Sequence, residues 1–132
     1  MELHLKIIGI LFMLMAISHI FMPKYFDWKN DFKNLSLFNK QMVKTHTFFI
    51  ALTVFGMGFL SFFESTAITQ TNFGKKIALG FGIFWGFRLF FQLFIYSSKL
   101  WKGKTFETIV HIILTLFWIY ASYIYLTIAF TR

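Results

Sequence analysis

A few polar side chains of the kinds that bind ligands or metals stand inside long apolar stretches of this sequence. The most prominent is Arg88, in the middle of the apolar run 80–94 and four residues before Gln92. A guanidinium stays protonated at ordinary pH, and a charge at the centre of a bilayer costs at least about 2.5–3.5 kcal/mol on insertion scales. Arg88 therefore requires a partner, a water-filled cavity, a lipid phosphate or a bound anion.

Three histidines lie near the ends of the other apolar stretches: His19, His46 and His111. If the stretches are helices joined as hairpins, these histidines and Gln92 fall at about one depth in the membrane, with Arg88 one turn deeper. Hairpin connectivity alone produces this coincidence. We therefore expect a polar ligand-binding pocket that opens toward one membrane face. Its candidate lining is His19, His46, Trp85, Arg88, Gln92, His111 and Trp118.

Helical spacing places these side chains on shared faces as well as at a shared depth. At 100° per residue, Trp85, Arg88 and Gln92 fall in one sector, and His111 and Trp118 fall in another. Aligned polar groups in lipid normally face the interior of a helix bundle, because lipid cannot satisfy their hydrogen bonds. Histidines near a membrane interface can instead point at headgroup water, and Trp is an ordinary interface anchor.

Such a pocket is compatible with several kinds of redox or lipid chemistry. Two neutral imidazoles from different helices can ligate a b-type haem, with Arg88 on a propionate. The same His, Gln, Arg and Trp groups can hydrogen-bond the head of a quinone or another lipidic substrate. A mononuclear metal centre would use His19, His46 and His111, with Glu107 four residues before His111, since three histidines and an open position are suitable for Zn or Fe. None of these cofactors is required by the sequence.

Composition predicts the environment in which these residues act. The 132 residues allow one domain at most, and they are 58% hydrophobic and 23% aromatic but only 14% charged. A soluble core could not bury 21 Phe without leaving large apolar patches exposed, whereas a bilayer can accommodate them. The absence of Cys excludes disulfides, thiolate metal sites and iron–sulfur clusters. We therefore expect an all-α integral membrane protein.

Four apolar runs are long enough to cross a bilayer, which predicts a four-transmembrane-helix bundle. The predicted spans are 5–22, 45–63, 77–96 and 108–130. The first is interpreted as a retained helix rather than a cleaved signal peptide, because no small-residue cleavage site precedes a soluble domain. Ala78, Gly82 and Gly86 form a small-residue stripe on the third span that would let another helix approach closely.

Residues 24–40 are too polar to span. At helical spacing their apolar residues share one sector, with lysines flanking it and Asp and Asn residues opposite; the apolar residues are Tyr25, Trp28, Phe32 and Leu35. We predict a short interfacial helix between the first two spans, with a solvated loop as the alternative. Lys29, Lys33 and Lys40 would contact anionic lipid headgroups. The formal charge of +8 is thereby attributed to lipid and not to nucleic acid, for which little soluble surface remains.

Loop charge predicts the orientation. The loops after the first and third predicted spans carry eight lysines, against four basic residues on the opposite side. By the positive-inside rule both termini lie outside and the polar pocket faces the cytoplasm. Lysine predominates over arginine, and Phe and Ile are abundant, which favours a bacterial cytoplasmic (inner) membrane.

The function that these patterns favour is an accessory or assembly subunit of a membrane complex, with Arg88 paired to another subunit, a lipid phosphate or another copy of the chain. The alternative is a membrane redox protein that binds a quinone or a lipid substrate, or a b-haem or a metal, in the polar pocket. The sequence leaves open whether the protein is an enzyme.

Overall fold

The computed structural model describes residues 2–25, 27–95 and 105–131, with the side chains of Met22, Tyr25 and Ile95 excluded. Over these residues the chain is helical and has no strand, which confirms the all-α prediction. The elements are α1 Glu2–Ser18, α2 Met22–Tyr25, α3 Trp28–Asp31, α4 Leu37–Phe63, α5 Ser65–Gln70, α6 Asn72–Phe90, a π-helical turn Phe91–Ile95, and α7 Thr105–Phe130. The chain forms two compact units, Leu3–Ser65 and Thr66–Arg132 with Met1–Glu2.

Three of the described helices are long and apolar enough to cross a membrane: Leu37–Phe63, Asn72–Phe94 and Thr105–Phe130. Many of their largest apolar side chains point outward, as Phe48, Phe87 and Leu116 show with exposures of 62%, 65% and 62%. Lipid removes the cost of exposing such side chains. The length, composition and outward apolar surface together indicate a helical membrane protein.

Helix α1 ends at Ser18, four residues before the predicted end of the first span at Met22. The hydroxyl of Ser18 donates to the carbonyl oxygen of Met15 (2.5 Å), and His19 Nδ1 bonds the same oxygen (2.8 Å). The next backbone bonds, from His19, Ile20 and Phe21, each run three residues back. The chain thus tightens into turns before Pro23, because local side chains occupy a carbonyl of the last helical turn.

Residues 24–40 do not form the single helix that their pattern predicts. They contain the end of α2, all of α3 and the beginning of α4. The break between α2 and α3 falls at Asp27, whose φ of 53° and ψ of 50° are left-handed. Asp tolerates this conformation better than most residues, and the Asp27 carboxylate accepts a hydrogen bond from Asn30 Nδ2 (2.8 Å).

Helix α4 begins at Leu37, eight residues before the predicted start of the second span at Thr45. Ser36 has an extended backbone, and its hydroxyl accepts from the backbone N–H of Asn39 (3.2 Å), as an N-cap does. The first two turns of α4 mix Asn39, Lys40, Gln41 and Lys44 with apolar residues, so their hydropathy is lower than that of the predicted span.

In the unit Leu3–Ser65, α1 and α4 approach each other at a pair of glycines. A Cβ added to Gly9 would lie 2.6 Å from the carbonyl oxygen of Gly58, and one added to Gly58 would lie 2.7 Å from that of Gly9. Only glycine allows backbones this close. Around this crossing Leu5, Ile8 and Phe12 are fully buried.

Between the second and third predicted spans the chain forms helix α5, Ser65–Gln70. Thr71 follows it and caps α6, because its hydroxyl accepts from the backbone N–H of Gly74 (2.8 Å). Helices α6 and α7 then pack against each other as an antiparallel pair. Gly82, from the predicted small-residue stripe, packs on Leu126 of α7, whereas Gly86 has open space beside it. Most of the basic loop predicted over residues 97–107, through Lys104, lies outside the described residues.

Candidate functional site

The α6–α7 pair is held by a ladder of aromatic contacts between the two helices. Phe81 meets Tyr125 edge to face, with ring centroids 5.4 Å apart. Trp85 stacks on Trp118 at 4.6 Å and an interplanar angle of 8°. Tyr125, Trp85 and Trp118 are all buried. The predicted pocket residues Trp85 and Trp118 are thus in direct contact, and Phe81 and Tyr125, whose helical spacing places them on the same faces, form the adjoining layer.

Next to the stacked indoles, three of the predicted polar residues form a hydrogen-bonded chain. Arg88 Nη1 donates to Gln92 Oε1 (3.2 Å), and Gln92 Nε2 lies 2.8 Å from His111 Nδ1. Gln92 is only 4% exposed, so it links the two helices away from solvent. A buried, hydrogen-bonded amide in this position stabilises the hairpin, because leaving any one member unpaired would be costly.

The chemistry of the donors fixes how the Gln92 amide is oriented between Arg88 and His111. A guanidinium can only donate, so Arg88 selects the oxygen of the Gln92 amide and turns its NH₂ group toward His111. The Nδ1 atom of His111 must therefore accept, and the ring proton of the neutral imidazole sits on Nε2. His111 is thereby positioned as part of the helix–helix contact.

The charge of Arg88 is also compensated by an aromatic face. Its Cζ atom lies 5.4 Å from the centroid of the Trp118 ring, within the range of a cation–π contact. The Arg88 side chain is half-buried. It contacts the Gln92 amide through a hydrogen bond and the Trp118 indole through its guanidinium. The structure thus brings together Trp85, Arg88, Gln92, His111 and Trp118, the five predicted pocket residues of this unit.

Gln92 belongs to a π-helical turn, Phe91–Ile95, which the sequence does not reveal. The backbone N–H of Phe91 reaches the carbonyls of both Arg88 and Phe87 at this junction. A π turn inserts one residue into the helical register, and such turns often occur at functional positions. Arg88, at the end of α6, and Gln92, in the turn, are the two residues of this helix in the hydrogen-bonded chain.

Two further polar atoms are buried on α7 beside the ladder. The indole N–H of Trp118 and the hydroxyl of Ser122 have no hydrogen-bond partner among the described residues. Their side chains are 3% and 7% exposed, and they lie one turn apart on the same face. Buried side-chain donors of this kind usually bond an ordered water molecule or a ligand oxygen. Ser122 shares a helical sector with His111 and Trp118, which is the only sequence signal that places it here.

The other two predicted histidines belong to the unit Leu3–Ser65. His19 is half-buried, and because its Nδ1 bonds a carbonyl oxygen, that nitrogen carries a proton and its Nε2 is the accepting atom of the neutral ring. It lines a cavity between Pro23 and Phe48. His46 is exposed and does not line that cavity.

The predicted metal set combines His19 and His46 with His111 and Glu107 of the other unit, so it remains a prediction. Across the residues that the structure describes, no group of three or more His, Asp or Glu side chains is arranged to hold a metal ion. Glu107, in the first turn of α7, is half-buried.

No protein-family model matches this chain, and neither a search of curated proteins nor one of solved structures finds a match. The fold and the site by themselves define the class, a helical membrane protein with a hydrogen-bonded Arg–Gln–His chain and stacked indoles between two of its candidate spans.

Proposed function

We propose that this protein is a small four-span accessory or assembly subunit of a membrane complex, and that it binds its partner on the outward face of α6. The observation that carries the proposal is a pair of adjoining grooves that share Phe87. One, of about 300 Å³, is lined by Ile83, Gly86, Phe87 and Phe90. The other, of about 240 Å³, is lined by Phe84, Phe87, Arg88 and Phe91.

The shape of this face is suitable for another helix. A Cβ built on Gly86 meets no atom within 4 Å, so the backbone there is open to a neighbour. Phe87 and Phe90 flank it, with exposures of 65% and 48%. A small residue between large apolar ones forms a groove that accepts the ridge of a second transmembrane helix. The partner is another subunit or a second copy of this chain.

The interior chemistry favours binding over catalysis. The groups that could ligate or transfer protons within the hairpin contact one another: Arg88 with Gln92, and Gln92 with His111. An accessory subunit needs this kind of internal stabilisation, since interhelical hydrogen bonds and close packing drive helix association in lipid. Arg88 also borders the outward groove, so a partner with a carboxylate or hydroxyl at that depth would be recognised beside Phe84 and Phe91.

The fourth span in this proposal is α1 continued through the turns to Met22. Its 17 helical residues extend about 25 Å at 1.5 Å per residue, slightly less than the ~30 Å hydrocarbon core. One face is buried, while Leu3, Leu14 and Ile17 on the opposite side are exposed, as expected for a helix in lipid. The short helices α2 and α3 would then lie at the interface, with Trp28 against Phe32.

We further propose a bacterial cytoplasmic membrane with both termini outside, which would place the lysines of residues 24–44 beside the anionic cytoplasmic leaflet. Cysteine-accessibility labelling tests this orientation. A label introduced at Lys33 should be protected in intact cells, whereas one at Lys76, exposed on α6, should react.

The experiment that tests the partner proposal compares two glycines of α6. The protein is purified from its native membranes in mild detergent and its mass is measured by native mass spectrometry. We expect a complex heavier than the single chain, lost in Gly86→Leu and retained in Gly80→Leu, because both glycines have open space but Gly80 lies outside the groove. A single-chain mass for the wild type, or equal behaviour of the two variants, would contradict the proposal.

A second candidate function is supported by the buried donors of Trp118 and Ser122. A quinone carbonyl could accept from both, with the stacked indoles beside its ring. The test is organic extraction of the purified protein together with oxidised and reduced absorption spectra, which also reveal b-haem. Ser122→Ala should lower the amount of retained quinone, whereas Thr115→Val, whose hydroxyl bonds its own helix, should not. A colourless protein without extractable quinone would exclude this candidate.

A further inference from the structure

A cationic cavity lies beside the start of α4 in the unit Leu3–Ser65. Its volume is about 510 Å³, within the range of small-molecule pockets. Two rings, of Trp28 and Phe32, contribute to its wall together with Pro23. The remaining lining residues are Lys24, Lys29, Lys40 and Lys44.

A second and mostly apolar cavity adjoins the first. It measures about 190 Å³ and shares Pro23, Trp28 and Lys44 with the cationic cavity. The rest of its lining is His19, Ile20, Thr47, Phe48 and Ala51. Lys44 and Trp28 thus stand at the boundary between a charged chamber and an apolar chamber.

The two chambers follow one face of α4 inward from its beginning. Lys40, Lys44, Phe48 and Ala51 are spaced by three or four residues, so they lie on the same side of the helix. From Lys40 to Ala51 the helix rises about 16 Å, at 1.5 Å per residue. The charged end is therefore at the start of this candidate span and the apolar end is toward its middle.

Four ammonium groups around one cavity repel each other, and no carboxylate is among the described residues that line it. An anion inside the cavity would convert that repulsion into attraction. Lysine is a common binder of phosphate as a point charge, and Trp is suited to the boundary between polar and apolar regions.

We propose that the two chambers form one binding site for a membrane lipid with an anionic, phosphate-bearing headgroup. The phosphate lies among the lysines, and the proximal part of the hydrocarbon chain lies against Phe48 and Ala51. The proposed site would use Lys29 and Lys40, two of the lysines expected from the sequence to contact headgroups, together with Lys24 and Lys44; Lys33 is exposed and is not among the lining residues. The proposal does not depend on the partner face of α6.

The headgroup arm of the test uses native mass spectrometry of the delipidated protein with added phosphatidylglycerol or phosphatidylcholine. We expect preferential binding of phosphatidylglycerol. Each lysine near an anionic headgroup contributes about fivefold, so Lys40→Gln with Lys44→Gln should weaken binding about 25-fold. The control, Lys33→Gln with Lys76→Gln, removes the same charge from exposed positions outside the cavity and should change binding less than twofold. If both double variants lose the same amount of phosphatidylglycerol affinity, the lipid does not bind in this cavity.

The chain arm separates a lipid from a free phosphate. Ala51→Phe fills the apolar chamber, so it should weaken phosphatidylglycerol binding while leaving the binding of glycerol 3-phosphate unchanged. If glycerol 3-phosphate binds as tightly as the lipid, the site recognises a free anion and the lipid proposal is wrong. If Ala51→Phe has no effect on the lipid, the hydrocarbon chain does not occupy the apolar chamber and the two-chamber site is wrong. The circular dichroism spectrum of each variant should match that of the wild type.

Discussion

In the α6–α7 hairpin, large rings lie between the helices, whereas α1 and α4 cross at Gly9 and Gly58 with their backbones in contact. The hairpin can therefore hold polar groups between its helices, next to the stacked indoles. Where Gly9 meets Gly58 there is no room for a side chain, and four lysines of this unit line a cavity near Pro23 and the start of α4. The packing mode of each unit thus determines where charge can be placed.

The two regions also differ in what compensates their positive charges. Arg88 donates to Gln92 and lies over Trp118, so this chain itself compensates the guanidinium. Lys24, Lys40 and Lys44 instead line one open cavity. A charge bound by its own chain stabilises the fold, while like charges gathered around a cavity favour an external anion. Substitutions in the first group should change stability, and those in the second should change ligand binding.

The largest expected effect concerns the glycine crossing. Gly58→Val would force a side chain against the carbonyl oxygen of Gly9 and should destabilise the protein by about 3 kcal/mol. Gly56→Val is the matched control, because a Cβ there meets no atom within 4 Å. Equilibrium unfolding in mixed detergent micelles, followed by circular dichroism, measures both. If Gly58→Val unfolds like Gly56→Val, the close crossing is wrong.

Gln92→Leu should have the next largest effect. It removes the amide that joins Arg88 to His111 and should lower the free energy of unfolding by about 1–3 kcal/mol. Phe91→Leu, an exposed neighbour in the same π turn, is the control and should change stability by less than about 0.5 kcal/mol. Similar stabilities for the two variants would show that the hydrogen-bonded chain does not hold the hairpin.

Arg88→Lys tests the geometry of the charge separately from its sign. The ammonium keeps the charge but lacks the planar fork that faces both Trp118 and Gln92, so we expect a loss of about 1 kcal/mol. The same unfolding measurement in Trp118→Leu and in the double variant gives the coupling between the two residues. A coupling free energy of zero would show that the cation–π contact does not contribute to stability.

The smallest expected effect distinguishes the two regions most clearly. Lys44→Gln should change the stability of the lipid-free protein by no more than about 0.5 kcal/mol, because it removes a repelling charge from an open cavity. In the presence of phosphatidylglycerol the wild type should become more stable than Lys44→Gln, since a ligand stabilises the state that binds it. If Lys44→Gln strongly lowers the free energy of unfolding without lipid, Lys44 stabilises the fold as Arg88 does.

Sequence patterns predict the hairpin better than they predict the region before α4. The sector shared by Trp85, Arg88 and Gln92 follows from helical periodicity, and these residues do face α7. The π turn at Phe91–Ile95 carries no compositional signal, since it shifts the register without changing residue type. Hydropathy reports depth in a bilayer rather than helix ends, so the sequence pattern does not distinguish the mixed start of α4 from part of a separate interfacial helix.

The remaining differences arise from single side chains that act locally. Ser36 begins α4 by accepting one backbone hydrogen bond, and Asp27 interrupts the predicted helix by adopting a left-handed conformation. Neither event requires an unusual sequence. The sequence predicts headgroup contacts for Lys29, Lys33 and Lys40 but no cavity, because the grouping of Lys24 with Lys40 and Lys44 depends on how the chain turns between α2 and α4.

The partner-binding face of α6 is the central claim, and site-specific photocrosslinking in native membranes tests it most directly. A benzophenone amino acid replaces Phe87, which lines both grooves, or Leu116, which is equally outward on α7 but lies outside them. We predict that the probe at position 87 crosslinks one protein of defined mass, that Gly86→Leu abolishes this product, and that the probe at position 116 yields no protein adduct. Crosslinking to lipid alone at both positions would contradict the account.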